Sequence, residues 1–172
     1  MSYKNKLKDI TAFVFDVDGV FTDGSVYLLP EGNMARVMNV LDGLAVVKAV
    51  KANYKIGVIT GGNDAMVKNR LEYLGIEDYY PKSPNKLADY QNFKSKHHLN
   101  DDEILIMGDD VPDVGMMKLA AISACSKNAV PDVKQISDYI SPIEGGKGAV
   151  RDVIEQVMKV QGKWHEDDTQ ST

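Results

Sequence analysis

Ala12-Phe13-Val14-Phe15-Asp16-Val17-Asp18-Gly19 is a short apolar run that stops abruptly at a pair of carboxylates. Four consecutive apolar residues without helical period read as a strand buried on both faces, the kind a parallel sheet requires. The same pattern recurs down the chain. Residues 56–59 are apolar and lead into Thr60-Gly61-Gly62-Asn63; residues 104–107 lead into Gly108-Asp109-Asp110-Val111-Pro112-Asp113. Residues 122–124 and 139–140 read as two shorter strands. Between these runs lie helical stripes: Leu44, Val47 and Val50; Val67, Leu71 and Leu74, followed by Gly75 as a stop; Leu87, Tyr90 and Phe93; and Val150, Val153, Ile154 and Val157. Strands alternating with amphipathic helices predict an α/β fold, a three-layer α/β/α sandwich around a mainly parallel, Rossmann-like sheet.

One region breaks the alternation. Residues 25–29 and 35–40 flank Pro30-Glu31-Gly32-Asn33, and the economical reading is a β-hairpin insertion over about 25–40. The hairpin and one helix consume the stretch between Asp16 and Thr60, so no cap domain fits there. The expected organisation is a single domain over 1–160 and a polar, aperiodic, flexible tail over 161–172.

Composition narrows the function classes. The chain has 172 residues, 44% hydrophobic and 26% charged, with a formal net charge of −5. An ordinary globular composition excludes a low-complexity chain, and the acidic balance gives no reason to expect nucleic acid or an anionic membrane as partner. No apolar run approaches the roughly 18 residues of a membrane span. The polar, lysine-bearing start has no signal-peptide core, and a cytoplasmic protein is expected. Cys125 is the sole cysteine, and His97, His98 and His165 lack metal-ligand spacing.

In doubly wound sheets, ligands bind beyond the carboxyl ends of the strands. Asp16, Asp18, Thr60, Asp109, Asp110 and Asp113 all follow predicted strands. So many carboxylates on one sheet edge repel one another and shift each other's titration unless a cation intervenes, and hard oxygen donors suit magnesium. Each motif also has a plainer reading. Asp16 and Asp18 could form a turn before Gly19; an EF-hand loop is excluded because Val20 and Phe21 stand where it needs a further oxygen ligand and a glycine. Thr60-Gly61-Gly62 could be a strand-to-helix turn, Lys86 a solvated lysine, and the three later aspartates helix caps around Pro112.

Together the motifs are more specific. Asp-x-Asp-Gly, then Thr-Gly, then Lys86, then Gly-Asp-Asp-x-x-Asp, in that order, resembles the haloacid dehalogenase superfamily of phosphohydrolases over roughly residues 11–155. Phe15-Asp16-Val17-Asp18-Gly19-Val20 with Thr22-Asp23-Gly24, Asn39-Val40-Leu41-Asp42-Gly43, and Gly145-Gly146-Lys147-Gly148-Ala149-Val150-Arg151 are similar to the 3-deoxy-D-manno-octulosonate 8-phosphate phosphatase family, which serves lipopolysaccharide synthesis. The resemblance implies a magnesium-dependent phosphomonoesterase with a phosphorylated sugar acid as substrate. It implies Asp16 as nucleophile, forming an aspartyl phosphate, and Asp18 as general acid and base. Magnesium would be held by the Asp16 carboxylate, the Asp18 main-chain carbonyl and Asp109. Thr60 and Lys86 would hold phosphoryl oxygens, and Asp110 or Asp113 would orient metal waters or Lys86. Gly61, Gly62, Arg70, Asn39, Asp42 and Gly43 are the implied substrate-binding positions. It further implies a homotetramer in which hairpins pack together and a neighbour's tail, here with Trp164, closes the site as a mobile lid.

Gly62, Leu41 and Val47 stand where members of that family often carry arginines, while Arg36, Lys68 and Lys82 offer positive charge nearby in sequence. Phosphatases of nine-carbon sugar acid phosphates, or of other sugar phosphates, are the alternative substrate class. A dehalogenase is a poor fit because Asp18 is present. A phosphoacceptor receiver domain needs its lysine after the threonine at the last strand, whereas Lys86 precedes Asp109. A silent binding module would not need Asp16, Asp18, Lys86 and Asp109 all intact.

Overall fold

The computed structural model describes residues 2–165. Six strands form one sheet: β1 (Ala12–Phe15), β4 (Lys55–Ile59), β5 (Asp78–Tyr80), β6 (Ile104–Gly108), β7 (Ile122–Cys125) and β8 (Tyr139–Ile140). Their order is β5-β4-β1-β6-β7-β8, and every pairing in it is parallel. The predicted strands are all present. β5 is an addition: Asp-Tyr-Tyr carries no apolar run, and as the edge strand it needs none.

Helices α1 (Val40–Lys51), α2 (Ala65–Tyr73) and α6 (Ala149–Val160) cover one face, packing on Phe13, Phe15, Val58, Leu105, Met107 and Ile122. Helices α3 (Lys86–His97), α4 (Val114–Met117) and α5 (Pro131–Ile136) cover the other, over Val14, Ile59, Ile104, Ile106 and Cys125. Alternate side chains of each strand feed opposite layers, which is why the strands read as unbroken apolar runs. Gly57 makes room in the second layer, since a β carbon there would lie 3.0 Å from the ring of Phe93. The α6 stripe and the α2 stripe are buried as expected. In α1 the buried face is Ala45, Val46 and Ala49, while Leu44 is exposed: the stripe read from the sequence is displaced around the helix.

Between β1 and α1 the chain makes a two-stranded antiparallel hairpin of β2 (Tyr27–Leu28) and β3 (Met34–Ala35). It is shorter than expected because Val40 already belongs to α1, where Asn39 caps the helix by accepting from the Leu41 amide at 2.9 Å. Among the described residues no cap domain is inserted.

The stretch read as a flexible tail starts packed. Gln161 donates to the Leu7 and Ile10 carbonyls at 2.9 and 2.8 Å, Lys48 donates to the Trp164 carbonyl at 2.9 Å, and Trp164 is 6% exposed beneath Lys48 and Arg151. An indole is a large apolar surface with two cations at its face, so core burial wins over the lid position expected for it. The remainder of that expectation, 166–172, lies outside the described residues.

Candidate active site

Parallel register brings three strand ends level. Phe15 pairs with Val58 on one side and Met107 on the other, so Asp16, Thr60 and Asp109 emerge on the same edge. They line a cleft of about 910 Å³ together with Asp18, Gly61, Gly62, Ser83, Asn85, Lys86 and Asp110.

Asp16 and Lys86 are buried, and the Lys86 ammonium lies 2.7 Å from Asp16 Oδ2 and 2.7 Å from Asp113 Oδ1. Asn85 caps α3 through the Leu87 and Ala88 amides, which fixes Lys86 at the first position of the helix. Asp113 is fully buried, and its other oxygen accepts from the Asp109 and Asp110 amides at 3.0 and 3.3 Å. Both oxygens of Asp113 are therefore engaged within the protein. It ties Lys86 to the loop after β6. Asp110 accepts from its neighbour Val111 at 2.7 Å, starting the turn that contains Pro112.

Asp16, Asp109 and Asp113 place carboxylate oxygens within 4.8 Å of one another. Burial pushes the Asp16 carboxyl up to about 6, reinforced by Asp113, although Lys86 pulls the other way. Burial pushes Asp109 up to about 7, reinforced by Asp16, Asp113 and Asp110. Burial also opposes the charge on Lys86, but Asp113 and Asp16 outweigh it and hold the ammonium above its ordinary value. One lysine thus leaves the cluster short of positive charge, and the donors are all hard oxygens. That environment fits a divalent magnesium ion, which carboxylate oxygens from the group Asp16, Asp109 and Asp113 would hold, with water completing the shell.

The loop after Asp16 is tightly wound. The Val17 amide donates to Asp16 Oδ1 at 2.6 Å, and Gly19 takes φ +79°. A β carbon on Gly19 would collide with the Asp109 carboxylate, so only glycine lets the two loops meet. Ser126 donates to the Gly19 carbonyl at 2.9 Å, and Gly146 donates to the Val20 carbonyl at 3.0 Å. Asp18 lies on this loop with both oxygens taken by Arg36, at 2.7 and 3.2 Å. Thr60 is buried, and its hydroxyl accepts from the Gly62 amide at 3.2 Å.

Four residues implied as substrate-binding lie elsewhere. Asp42 is 1% exposed; Oδ1 accepts from the Arg151 amide at 2.9 Å, so it caps α6 rather than facing the cleft. Asn39 caps α1 and donates to the Gly146 carbonyl at 3.3 Å. Arg70 crosses Gly43, where a β carbon would come within 2.7 Å of Nη2. These four tie α1 to α2, α6 and the 145–148 loop, while Gly61 and Gly62 do line the cleft. The partnership of Arg36 with Asp18 and Asp64 escaped the sequence reading, since a hairpin arginine carries no local signal of where it folds back.

A family profile described as haloacid dehalogenase-like hydrolase matches residues 45–154. The chain is 32% identical to the 3-deoxy-D-manno-octulosonate 8-phosphate phosphatase of Salmonella typhi, over 96% of this chain and 88% of the relative. The crystal structure of the phosphatase of that name from Yersinia pestis superposes with a TM-score of 0.91 at 27% identity, covering 94% of this chain and 87% of the other. The one from Moraxella catarrhalis, in complex with a magnesium ion, a phosphate ion and a KDO molecule, superposes with a TM-score of 0.89 at 31% identity, covering 93% and 92%. With its acidic strand ends, its buried lysine and this kinship, the chain belongs to the haloacid dehalogenase-like hydrolases, within the family of the 3-deoxy-D-manno-octulosonate 8-phosphate phosphatases.

Proposed function

We propose that the protein is a magnesium-dependent phosphomonoesterase that releases the terminal phosphate of 3-deoxy-D-manno-octulosonate 8-phosphate. The observation that carries the reading is the buried Asp16–Lys86–Asp113 chain beside Asp109, with Thr60 at the neighbouring strand end. Asp16 Oδ2 is the nucleophile: it forms a bond to phosphorus as the bond from phosphorus to the sugar oxygen breaks. Asp18 gives that oxygen a proton. In the second half, water attacks phosphorus, Asp18 takes a proton from it, and the Asp16–phosphorus bond breaks to release phosphate. Lys86, the Thr60 hydroxyl and the Gly61 and Gly62 amides hold the equatorial phosphoryl oxygens. Magnesium, when bound, supplies the charge that lets one anion approach another.

The reading extends to a cytoplasmic homotetramer. The exposed apolar side chains on the hairpin support assembly. Gly62, standing where members of the family often carry an arginine, keeps nine-carbon sugar acid phosphates as a second reading.

The test is phosphate release from a panel of phosphorylated sugars and sugar acids, with and without magnesium, using Asp16→Asn as control. Preference for the eight-carbon acid phosphate is the expected result. Preference for a nine-carbon acid phosphate would keep the mechanism and replace the substrate. Turnover unaffected by Asp16→Asn or by chelation would overturn the mechanism.

A further inference from the structure

Arg36 follows β3 on a hairpin whose apolar side chains face solvent, yet its own side chain is only 11% exposed. Nε donates to Asp18 Oδ1 at 2.7 Å and Nη2 to Asp18 Oδ2 at 3.2 Å, while Nη1 donates to Asp64 Oδ2 at 3.1 Å. A β carbon placed on Gly62 would lie 3.7 Å from Nη2 and 3.5 Å from the Thr60 hydroxyl. The guanidinium therefore stands beside the phosphoryl end of the cleft, with no side chain at Gly62 between them.

Two consequences follow from the chemistry of the fork. A carboxylate gripped through both oxygens by one guanidinium is held in a single orientation. Turning Asp18 toward a substrate's leaving oxygen competes with those contacts and with the Thr22 hydroxyl, which donates to Oδ1 at 3.4 Å. A sugar acid phosphate also brings two anions, whereas Lys86, the sole cation lining the cleft among the described residues, is already shared by Asp16 and Asp113.

We propose that Arg36 is the specificity residue of this site: the substrate's carboxylate replaces Asp18 on the guanidinium fork and thereby frees Asp18 to face the leaving oxygen. The exchange is like for like, one planar carboxylate for another, so the charge around Arg36 stays balanced. Asp64 keeps the fork aimed while this happens. It is itself held as the cap of α2, accepting from the Met66 and Val67 amides at 2.8 and 3.3 Å. A phosphate ester without a carboxylate cannot make the exchange, and Asp18 stays latched. A cleft with no cap domain, open to any small phosphate, gains selectivity in this way, because only a ligand with differential affinity for the released state shifts the equilibrium.

The inference rests on the reading of the protein as a sugar acid phosphatase, and the test separates the two. Wild type, Arg36→Ala and Arg36→Lys are compared on the sugar acid phosphate and on D-ribose 5-phosphate, with the free sugar acid and inorganic phosphate as inhibitors. In Arg36→Ala, kcat/KM for the acid phosphate should fall about 100-fold, the upper range of a two-site coupling. That for ribose 5-phosphate should rise about threefold or more as the latch is lost. Inhibition by the free sugar acid should weaken about tenfold or more while inhibition by phosphate persists. Arg36→Lys keeps the charge but not the fork, and should fall between the two. Loss of both substrates in proportion, or an unchanged inhibition constant for the sugar acid, overturns the exchange alone. A wild-type enzyme indifferent to every carboxylate-bearing phosphate, yet still inactivated by Asp16→Asn, overturns the substrate reading with it.

Discussion

Asp16 and Asp109 set the pH behaviour of the site. Their folded-state values, about 6 and about 7, lie above those of an unfolded aspartate near 3.9. Between the two the native protein binds more protons than the unfolded chain, so their contribution to stability is full at low pH and is lost as pH rises through the folded values. Magnesium requires both carboxylates ionised and reverses that loss. The gain in Tm on adding magnesium to chelated protein should therefore be larger at pH 8 than at pH 5.5, and Asp109→Asn should flatten the difference. Equal gains at both pH values would show that these carboxylates do not hold the ion. At this scale the sequence was informative where a residue follows a strand. Asp16, Asp18 and Asp109 could be singled out because a buried apolar run leads straight to them, whereas Thr60 and Lys86 gained their roles only through the family resemblance. Asp42 could not: an aspartate in the first turn of α1 has the same signature whether it faces a ligand or, as here, caps the neighbouring α6.

At the scale of elements, the catalytic loop is held by a second loop distant in sequence. A β carbon on Gly145 would overlap the Gly19 carbonyl and lie 2.7 Å from the Thr22 carbonyl, both backbone atoms that cannot swing aside. Gly145→Ala must push the loop carrying Asp18 away from the 145–148 segment. The expected result is a loss of about 1–3 kcal/mol in unfolding free energy, as for other overpacked sites. A fall of roughly tenfold in kcat should accompany it, since misplacing a catalytic group by about an ångström costs up to 100-fold. Denaturant melts and steady-state rates together check this, and a destabilised variant with wild-type kcat would separate the loop from the chemistry. The parallel strands were legible from apolar runs, and α6 from its stripe, because core packing imposes those periods. β5 was not, because an edge strand made of Asp78, Tyr79 and Tyr80 lacks such a run. The hairpin was legible as a turn, but its strands end early because the cap at Asn39 starts α1 sooner than the apolar residues suggest.

Among the described residues of the whole molecule, an apolar surface is left exposed. Leu28 is 81% exposed and Tyr27 64%, with Val37, Val40, Leu41 and Leu44 also exposed along the hairpin and the start of α1. The displaced stripe of α1 explains part of this surface: Leu44 and Val40 point away from the sheet because Ala45, Val46 and Ala49 fill the core. Apolar side chains clustered on one projecting element suit association with copies of itself, the arrangement proposed above for the tetramer. A single charge at its centre should be enough to test it. Leu28→Asp is expected to give a folded monomer or dimer by sedimentation, with a melting curve close to wild type, since Leu28 contributes little to the protomer core. Activity should not escape. Arg36 emerges from the same hairpin, two residues after Met34, and it grips Asp18. If assembly fixes the hairpin, its loss should lower turnover of the sugar acid phosphate more than that of ribose 5-phosphate, because only the former needs the Arg36 fork in place. A tetramer that survives Leu28→Asp would move the interface elsewhere. A monomer with unchanged selectivity would instead show that β2 and β3 hold Arg36 in place without help from a neighbour.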